Sequence, residues 1–342
     1  MKRLFLISSL FLLVLTACNK DWEFPDYKFS TVYFPYQSPV RTLVLGEDIF
    51  DNTLDNQRKF SVMATMGGVY ENKKDVTLDV LVENTLTQRL KFNTATGDDV
   101  VALPANYYTL PQDMKIRIPA GKVMGGMEVQ LTDAFFADPR SIKNTFVLPL
   151  KIVSVTNADS ILKGTSSKTT PDPRQAGDWG VAPKDYVLYA VKYINPFHGA
   201  YLRRGIDEVK GNNGNTALDT TVVYRNAFVE QDEVVSLFTR SLTQDSISLN
   251  AKNKGNINAP FRLVLTFDNA GKCTVSAVPS ATYTVSGSGQ FVKKGDMWGN
   301  EKRDVLHLKY QVNFGTTTHN LTDTLVMRDR AVKFETFSMV VN

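Results

Sequence analysis

Length, composition and charge already narrow the possible functions of this chain. The sequence has 342 residues, with 39 Lys and Arg against 35 Asp and Glu, so its formal net charge is +4. Such a balanced charge does not suggest nucleic acid or an anionic membrane surface as a partner. The two cysteines, Cys18 and Cys273, are too few for a scaffold held together by several disulfides.

The first seventeen residues have the pattern of a secretory signal. Lys2 and Arg3 form a basic start, and a mainly apolar segment follows up to Leu15. The segment is too short to span a bilayer core of about 30 Å, which needs about 20 apolar residues. We therefore predict that residues 1–17 are a removed signal peptide. Removal takes away Lys2 and Arg3, and the net charge falls from +4 to +2.

The residues at the end of this signal resemble a bacterial lipobox. Leu15-Thr16-Ala17-Cys18 contains an aliphatic residue, two small residues and then a cysteine. The resemblance implies that Cys18 is lipidated and begins the mature protein. Acyl chains contribute about 0.8 kcal/mol per buried methylene, so several chains hold a protein firmly at a membrane. Residues 18–29 are then expected to be a lipidated tether.

The tether also contains residues that resemble a localisation signal. Lys20, Asp21 and Glu23 are similar to the export signal of Bacteroidetes lipoproteins that reach the outer face of the outer membrane. This resemblance predicts a protein anchored in the outer membrane by lipid and exposed on the cell surface. With Cys18 acylated, Cys273 has no disulfide partner within the chain, and we interpret it as a small buried hydrophobic residue.

Alternating apolar and polar residues predict a first β-domain over residues 30–157. Residues 60–66 (FSVMATM) and 76–82 (VTLDVLV) show the period of two of half-buried strands. About seven short strands separated by turn residues are typical of an Ig-like β-sandwich. Residues 158–185 are rich in Ser, Thr, Pro and Gly, and predict a linker or long surface loop.

Strand patterns return at residue 186 and continue to the end of the chain. The segments run from 186–194 (YVLYAVKYI) to 331–341 (AVKFETFSMVV), with short connections between them. About nine or ten consecutive strands of this kind favour an up-and-down antiparallel barrel. We therefore predict a β-barrel over residues 186–342.

Both predicted domains resemble parts of one known architecture. Residues 30–36 (STVYFPY) and 103–133 resemble an N-terminal domain of unknown function common in Bacteroidetes surface lipoproteins. That domain also precedes the catalytic module of some endo-β-N-acetylglucosaminidases. Residues 195–205 (NPFHGAYLRRG) and 283–312 resemble the lipocalin-like, calycin-type domain that often follows it. The resemblance implies an all-β protein, with an Ig-like sandwich followed by a calycin-like barrel.

The sequence predicts neither catalytic residues nor a metal or cofactor site. His198, His307 and His319 lie apart, without the HExxH spacing of a zinc site, and no CxxC pair occurs. The Asp-x-x-Asp-x-Asp-x-Glu strand end of the related glycosidase modules has no counterpart here. A (β/α)₈ module needs about 250 residues, more than the linker leaves. We therefore predict a protein that is not an enzyme.

Two segments are candidate ligand sites. Residues 293–304 (KKGDMWGNEKRD) form a predicted hairpin loop that carries Asp296, Trp298, Asn300 and Arg303. A tryptophan in a polar loop can stack on a sugar beside hydrogen-bonding neighbours. It can instead fold back and close one end of the barrel. The second candidate segment, 198–205, carries Tyr201 and Arg203.

These observations favour a non-catalytic surface lipoprotein that binds glycan. The resembled architecture is associated with polysaccharide-utilisation systems, which implies polysaccharide and outer-membrane importer proteins as partners. Two alternatives stay open, because a fold does not determine a function. One is an adhesin or structural subunit of a surface assembly, and the other is a lipocalin-type carrier of a small ligand in an open barrel lumen.

Overall fold

The computed structural model describes residues 29–342. The predictions for the signal peptide and for lipidation of Cys18 lie outside these residues. Most of the regular secondary structure is β-structure, with 53% of the residues in strands and 10% in helices. This result confirms the predicted all-β class. Within the described part, none of the helices combines the length and hydrophobicity of a membrane span.

Twelve strands precede the barrel in the described chain, and two short α-helices lie between them. The strands are β1 (Thr31–Tyr33), β2 (Pro39–Val44), β3 (Lys59–Gly67), β4 (Val76–Val82), β5 (Leu90–Phe92), β6 (Val101–Ala102), β7 (Tyr108–Thr109), β8 (Lys115–Ile118), β9 (Met124–Leu131), β10 (Phe146–Thr156), β11 (Ser160–Ile161) and β12 (Tyr186–Ile194). The helices are α1 (Thr53–Asn56) and α2 (Asp133–Ala137). Single 3-10 turns occur at Asn84–Thr87, Ala105–Tyr107, Pro139–Ile142 and Ala176–Asp178.

These strands form the predicted β-sandwich. The hydrogen-bonded order is β11-β1-β3-β9-β8-β4-β10-β12-β2. The period of two directs alternate side chains of each strand to opposite faces. On β10, Leu148 and Leu150 enter the main core, whereas Val147 enters a second core beside β5. The central strands β10 and β12 therefore separate two apolar layers.

Strand β12 belongs to the sandwich, which corrects the predicted start of the barrel at residue 186. It pairs antiparallel with β10 and parallel with β2. Val187 and Val191 face the main core, and Leu188 and Ala190 face the second. A strand covered on both faces has apolar residues almost throughout, as YVLYAVKYI does. That pattern fits a central sandwich strand better than a barrel strand.

Residues 158–185 are also part of the sandwich rather than a free linker. Strand β11 pairs parallel with β1. Farther along, the Arg174 guanidinium donates to the carbonyl oxygens of Leu86, at 3.1 Å, and Gln88, at 2.7 Å. The segment is polar because it lies on the surface, yet its hydrogen bonds attach it to the first unit.

The barrel is built from the nine strands that follow. They are β13 (Gly199–Gly211), β14 (Thr220–Tyr224), β15 (Glu233–Thr239), β16 (Gln244–Asn253), β17 (Ile257–Phe267), β18 (Lys272–Ala277), β19 (Thr284–Trp298), β20 (Glu301–Asn313) and β21 (Thr317–Asp329), with 3-10 turns at Asn212–Gly214, Thr216–Leu218 and Val229–Gln231. Neighbours in sequence pair from β15 to β21, and β13 pairs with both β15 and β21. Eight antiparallel strands therefore close, which confirms the calycin-like barrel. Strand β14 adds to β13 alone.

Packed side chains fill the barrel interior. The inward positions of the eight strands form one apolar cluster with members such as Tyr201, Leu237, Ile247, Leu263, Phe267, Leu308, Tyr310 and Leu325. Phe197 stacks on Phe267 near one end, with ring centroids 3.7 Å apart. Large aromatic side chains thus serve the core, as close packing of a small barrel requires.

The end of the chain returns to the sandwich, so the barrel ends at β21 instead of residue 342. Strands β22 (Glu335–Thr336) and β23 (Met339–Val341) pair with β2 and β5. Between them, Phe337 packs against Phe92 with ring centroids 4.8 Å apart. The apolar pattern of the tail correctly indicates burial, but its partners are distant in sequence.

Asn195 occupies the connection between the sandwich and the barrel. Its fully buried Nδ2 donates to the carbonyl oxygens of Ser241 and Gln244, at 2.9 and 3.2 Å, and to Asp245 Oδ2 at 2.6 Å. Its Oδ1 accepts from the backbone N–H groups two and three residues later. Burial raises the pKa of Asp245 to about 7, against the opposing effects of the Asn195 hydrogen bond and the Arg330 charge.

The return of the tail predicts unequal effects of two neighbouring substitutions. Phe337 is 3% exposed and Phe334 is 65% exposed. Replacing a buried Phe by Ala costs about 3–5 kcal/mol, because the apolar contacts are lost and a cavity remains. We expect Phe337→Ala to lower the free energy of unfolding by this amount, and Phe334→Ala by about 1 kcal/mol or less, because the exposed Phe334 ring contacts only the exposed Tyr36 ring, at 5.0 Å, among the aromatic rings of residues 29–342. Urea unfolding followed by circular dichroism measures both, and equal effects would contradict a docked tail.

The buried carboxyl of Asp245 predicts a pH-dependent stability. The pKa of Asp is about 3.9 in an unfolded chain and rises to about 7 in the folded protein. Its contribution is therefore complete below about pH 4 and is lost as the pH rises towards 7. Asp245→Asn retains an acceptor oxygen for Asn195 and cannot ionise. We expect the stability of the wild type to fall relative to this variant over that range, in urea unfolding; parallel pH curves would contradict the expectation.

Candidate functional site

The sandwich and the barrel meet at the guanidinium of Arg330, directly after β21. The residue is 5% exposed. It donates to the carbonyl oxygens of Leu45 and Glu47 in the sandwich, at 3.0 and 2.9 Å. It also donates to those of Asn195 and His198 in the connection, at 2.6 and 2.8 Å. Hydrogen bonds from a charged donor contribute about 1.5–3 kcal/mol each, and the planar fork of arginine can serve all four acceptors.

The loop between β2 and α1 is shaped to supply two of these carbonyls. Gly46 has φ of 91°, and a Cβ there would lie 2.8 Å from the Pro196 side chain. Only glycine accommodates both conditions easily. Asn52 Nδ2 then donates to the carbonyl oxygens of Val44, at 2.8 Å, and Gly46, at 2.6 Å. The loop is thus fixed by its own side chains as well as by Arg330.

A cleft of about 520 Å³ lies beside Arg330, between the sandwich and the barrel. We call it the junction cleft. Three segments supply most of its lining: residues 47–52, the tip of the β19–β20 hairpin with Lys294, Lys302, Arg303 and Asp304, and residues 327–332. Arg41 and Asp55 form an ion pair at its sandwich side. The cleft therefore exists only where the two units meet.

Two large apolar side chains at the cleft are strongly exposed. Ile49 is 81% exposed and Phe50 is 73% exposed, and both lie in the lining. The neighbouring residues are acidic or polar, in the sequence GEDIFDN. Adjacent exposed apolar residues next to a cleft are typical of a binding surface. They are the residues most available to a ligand, and neither was among the candidates from the sequence.

The β19–β20 hairpin forms the opposite wall. Trp298 pairs with Glu301, and Gly299 and Asn300 between them have φ of 59° and 61°, as a two-residue type I′ turn requires. The register shifts between Val292 and Asp296, so the tip continues beyond an irregular segment. Lys293 and Lys294 form ion pairs with Glu47 across the cleft, at 3.1 and 3.7 Å. These pairs are exposed, so each contributes only about 0–1 kcal/mol.

Among the four candidates on this hairpin, Arg303 is the one that lines the cleft. Its guanidinium lies 5.1 Å from the centroid of the half-buried Trp298 ring. Its Nη2 pairs with Glu301 at 2.7 Å, and its buried Nε has no hydrogen-bond partner among residues 29–342. Asp296 and Asn300 are on the same tip but outside the cleft lining. Trp298 therefore packs against Arg303 at the hairpin tip and is not a member of the apolar cluster inside the barrel.

Tyr201 and Arg203 lie in the barrel core, which corrects their interpretation as surface ligand residues. Both are fully buried on the inward face of β13. Tyr201 Oη donates to the Phe197 carbonyl at 2.6 Å. Arg203 forms ion pairs with Asp323 and Glu233, at 3.1 and 3.2 Å. A buried guanidinium needs such partners, and the alternation of β13 explains its inward direction.

Histidine and cysteine chemistry offers no competing site in the described chain. Within residues 29–342, His, Cys, Asp and Glu side chains nowhere gather in threes suited to hold a metal ion. Burial, aided by the Arg330 and Lys192 charges, lowers the pKa of His198 to about 4, and its Nδ1 accepts from the Thr239 N–H at 3.2 Å. Cys273 is buried, as predicted, and burial raises the pKa of its thiol to about 12.

Fold and cleft together define a class: a β-sandwich joined to a calycin-like barrel, with a cleft at the junction. A model described as a domain of unknown function, DUF5627, matches residues 196–331, and a model described as an N-terminal domain matches residues 27–159. The first match begins after β12 and ends just after Arg330. These limits agree with the barrel boundaries in the structure.

The family of this chain follows from its similarity to one solved structure. The crystal structure of a Bacteroides ovatus protein of unknown function is 41% identical, covers 93% of this chain and 100% of that chain, and has a TM-score of 0.85. This chain therefore belongs to the same family as that protein. A second Bacteroides ovatus protein of unknown function is 14% identical over 91% of this chain and 99% of that chain, with a TM-score of only 0.40. No curated protein matches the chain.

Proposed function

We propose that this protein is a non-catalytic surface lipoprotein that binds glycan in the junction cleft. The observation that carries the proposal is the pairing of exposed Ile49 and Phe50 with charged side chains in one cleft of about 520 Å³. Saccharides present apolar C–H faces as well as hydroxyl groups. An aromatic side chain can cover the apolar face, while charged and polar side chains bind the hydroxyls.

The position of the cleft supports this proposal. Ligand sites commonly occur between domains, and their volumes are about 300–1,000 Å³. The Arg330 hydrogen bonds hold the two walls together before a ligand arrives. A cleft formed in advance loses less conformational entropy on binding than one that must assemble. A lipocalin-type carrier needs an open barrel lumen, whereas apolar side chains fill the interior of this barrel. This packing favours the junction cleft as the ligand site.

The cellular part of the proposal rests on the N-terminal sequence. Cys18 in the lipobox-like segment is the proposed anchor, and the acidic residues after it are the proposed address to the outer face of the outer membrane. The family resemblance to lipoproteins of polysaccharide-utilisation systems suggests an outer-membrane importer as the protein that receives the glycan. The tether of residues 18–29 would leave both β-units outside the membrane.

Glycan binding predicts a specific effect of Phe50→Ala. We expect residues 19–342 to bind saccharides on an array of plant and host glycans. For an array ligand, Phe50→Ala should lower the affinity by about tenfold, because that loss corresponds to about 1.4 kcal/mol of stacking and burial. Isothermal titration calorimetry measures the change.

A matched control is available on the barrel. Phe228 is 60% exposed and does not line the cleft, so Phe228→Ala should leave the affinity unchanged. Absence of binding to every glycan on the array would refute the proposed function. Stoichiometric binding of a protein without any dependence on sugar would instead favour the adhesin alternative. Equal losses in the two variants would place the site elsewhere.

A further inference from the structure

The carboxylates of the junction cleft already have partners within the protein. Six acidic residues line the cleft: Glu47, Asp48, Asp51, Asp55, Asp304 and Asp329. Asp55 pairs with Arg41 and accepts the Val44 N–H, and Glu47 pairs with two lysines. The other four accept at least one backbone N–H group each. Each of the six carboxylates therefore has at least one partner within the protein.

One cationic side chain of the cleft, that of Lys302, differs in this respect, and a second, that of Arg303, is only partly paired. The Lys302 side chain is exposed and forms neither a hydrogen bond nor an ion pair with any residue from 29 to 342. Arg303 Nη2 pairs with Glu301, but its Nε is buried without a hydrogen-bond partner in the described part of the chain. Within residues 29–342, Arg330 donates its hydrogen bonds to carbonyl oxygens, and the charges of Asp48, Asp245 and Asp304 act on it without a hydrogen bond. The unused donors at the cleft are thus those of Lys302 and the Nε of Arg303, and both side chains carry positive charge.

We infer, on the basis of the proposed function, that the saccharide carries an anionic group, either a carboxylate or a sulfate ester. Lys302 and Arg303 would hold this group, while Phe50 covers an apolar face of the sugar. Hydrogen bonds between charged partners are about twice as strong as neutral ones. The Arg303 guanidinium is already oriented by Trp298 and Glu301, so its side chain loses little freedom on binding.

The test compares charged saccharides with neutral counterparts of similar shape. The carboxylate pair is polygalacturonate and methyl-esterified polygalacturonate, and the sulfate pair is dextran sulfate and dextran. Residues 19–342 should bind at least one anionic probe at least about tenfold more tightly than its neutral counterpart. Comparison of the two pairs shows which anion is preferred. Added salt should weaken the binding because it screens exposed charges.

Single substitutions locate the anion within the cleft. Lys302→Gln should weaken binding of the preferred anionic probe at least about threefold and leave the neutral counterpart unaffected. Because the Lys302 side chain is exposed and makes no hydrogen bond or ion pair with residues 29–342, this variant should fold normally. Arg303→Gln should have the larger effect. Lys309→Gln is the control, since Lys309 is exposed on the outer barrel face and outside the cleft lining.

The outcomes separate the two proposals. Equal binding of charged and neutral counterparts, or binding of neutral array glycans alone, would overturn the anionic ligand and leave glycan binding intact. An affinity for the anionic probe that Lys302→Gln and Lys309→Gln reduce equally would show general charge attraction and would also overturn it. A complete absence of saccharide binding would refute both proposals.

Discussion

The four hydrogen bonds of Arg330 hold together segments that are far apart in the sequence. Two of the carbonyl acceptors belong to the loop after β2, and two belong to the connection between β12 and β13. The guanidinium itself follows the last barrel strand. Removing the side chain would take away all four of these hydrogen bonds, and a buried carbonyl left without a donor, such as that of Leu45, costs about 1–3 kcal/mol. The relative position of sandwich and barrel depends on this one residue more than on any ion pair at the surface.

The course of the chain explains why such a contact is possible. The sandwich is completed by β12 before the barrel and by β22 and β23 after it, so the barrel is an insertion in the sandwich. The chain enters the barrel at Asn195 and leaves it at Arg330, and the two residues are hydrogen-bonded at 2.6 Å. Two adjacent crossings restrict motion between the units more than a single linker does. The junction cleft and its exposed Phe50 are a consequence of this arrangement.

The sequence predicts those features of the fold that follow from local patterns of apolar and polar residues. Alternation identifies the β class and the consecutive order of the barrel strands, because neighbouring strands in an up-and-down barrel are neighbours in sequence. It does not identify the partners of β12 or of the tail around Phe337, because these pairings join distant segments. The sequence also does not predict that Arg203 lies inside the barrel. A buried arginine needs an acidic partner, and Asp323, which supplies it, lies on a strand distant in the sequence. The junction cleft could not be predicted from the sequence either. Phe50 and Arg303 line it together only because the sandwich and the barrel meet there.

The most direct test of this account measures the distance between the two units. Spin labels at Ala95→Cys in the sandwich and Ser276→Cys in the barrel are both exposed, while Cys273 is buried and should not react. By pulsed electron paramagnetic resonance, we expect a narrow distance distribution for the otherwise unaltered protein and for Arg328→Ala, and a broad one for Arg330→Ala. A distribution that stays equally narrow in Arg330→Ala would contradict the central role of this residue.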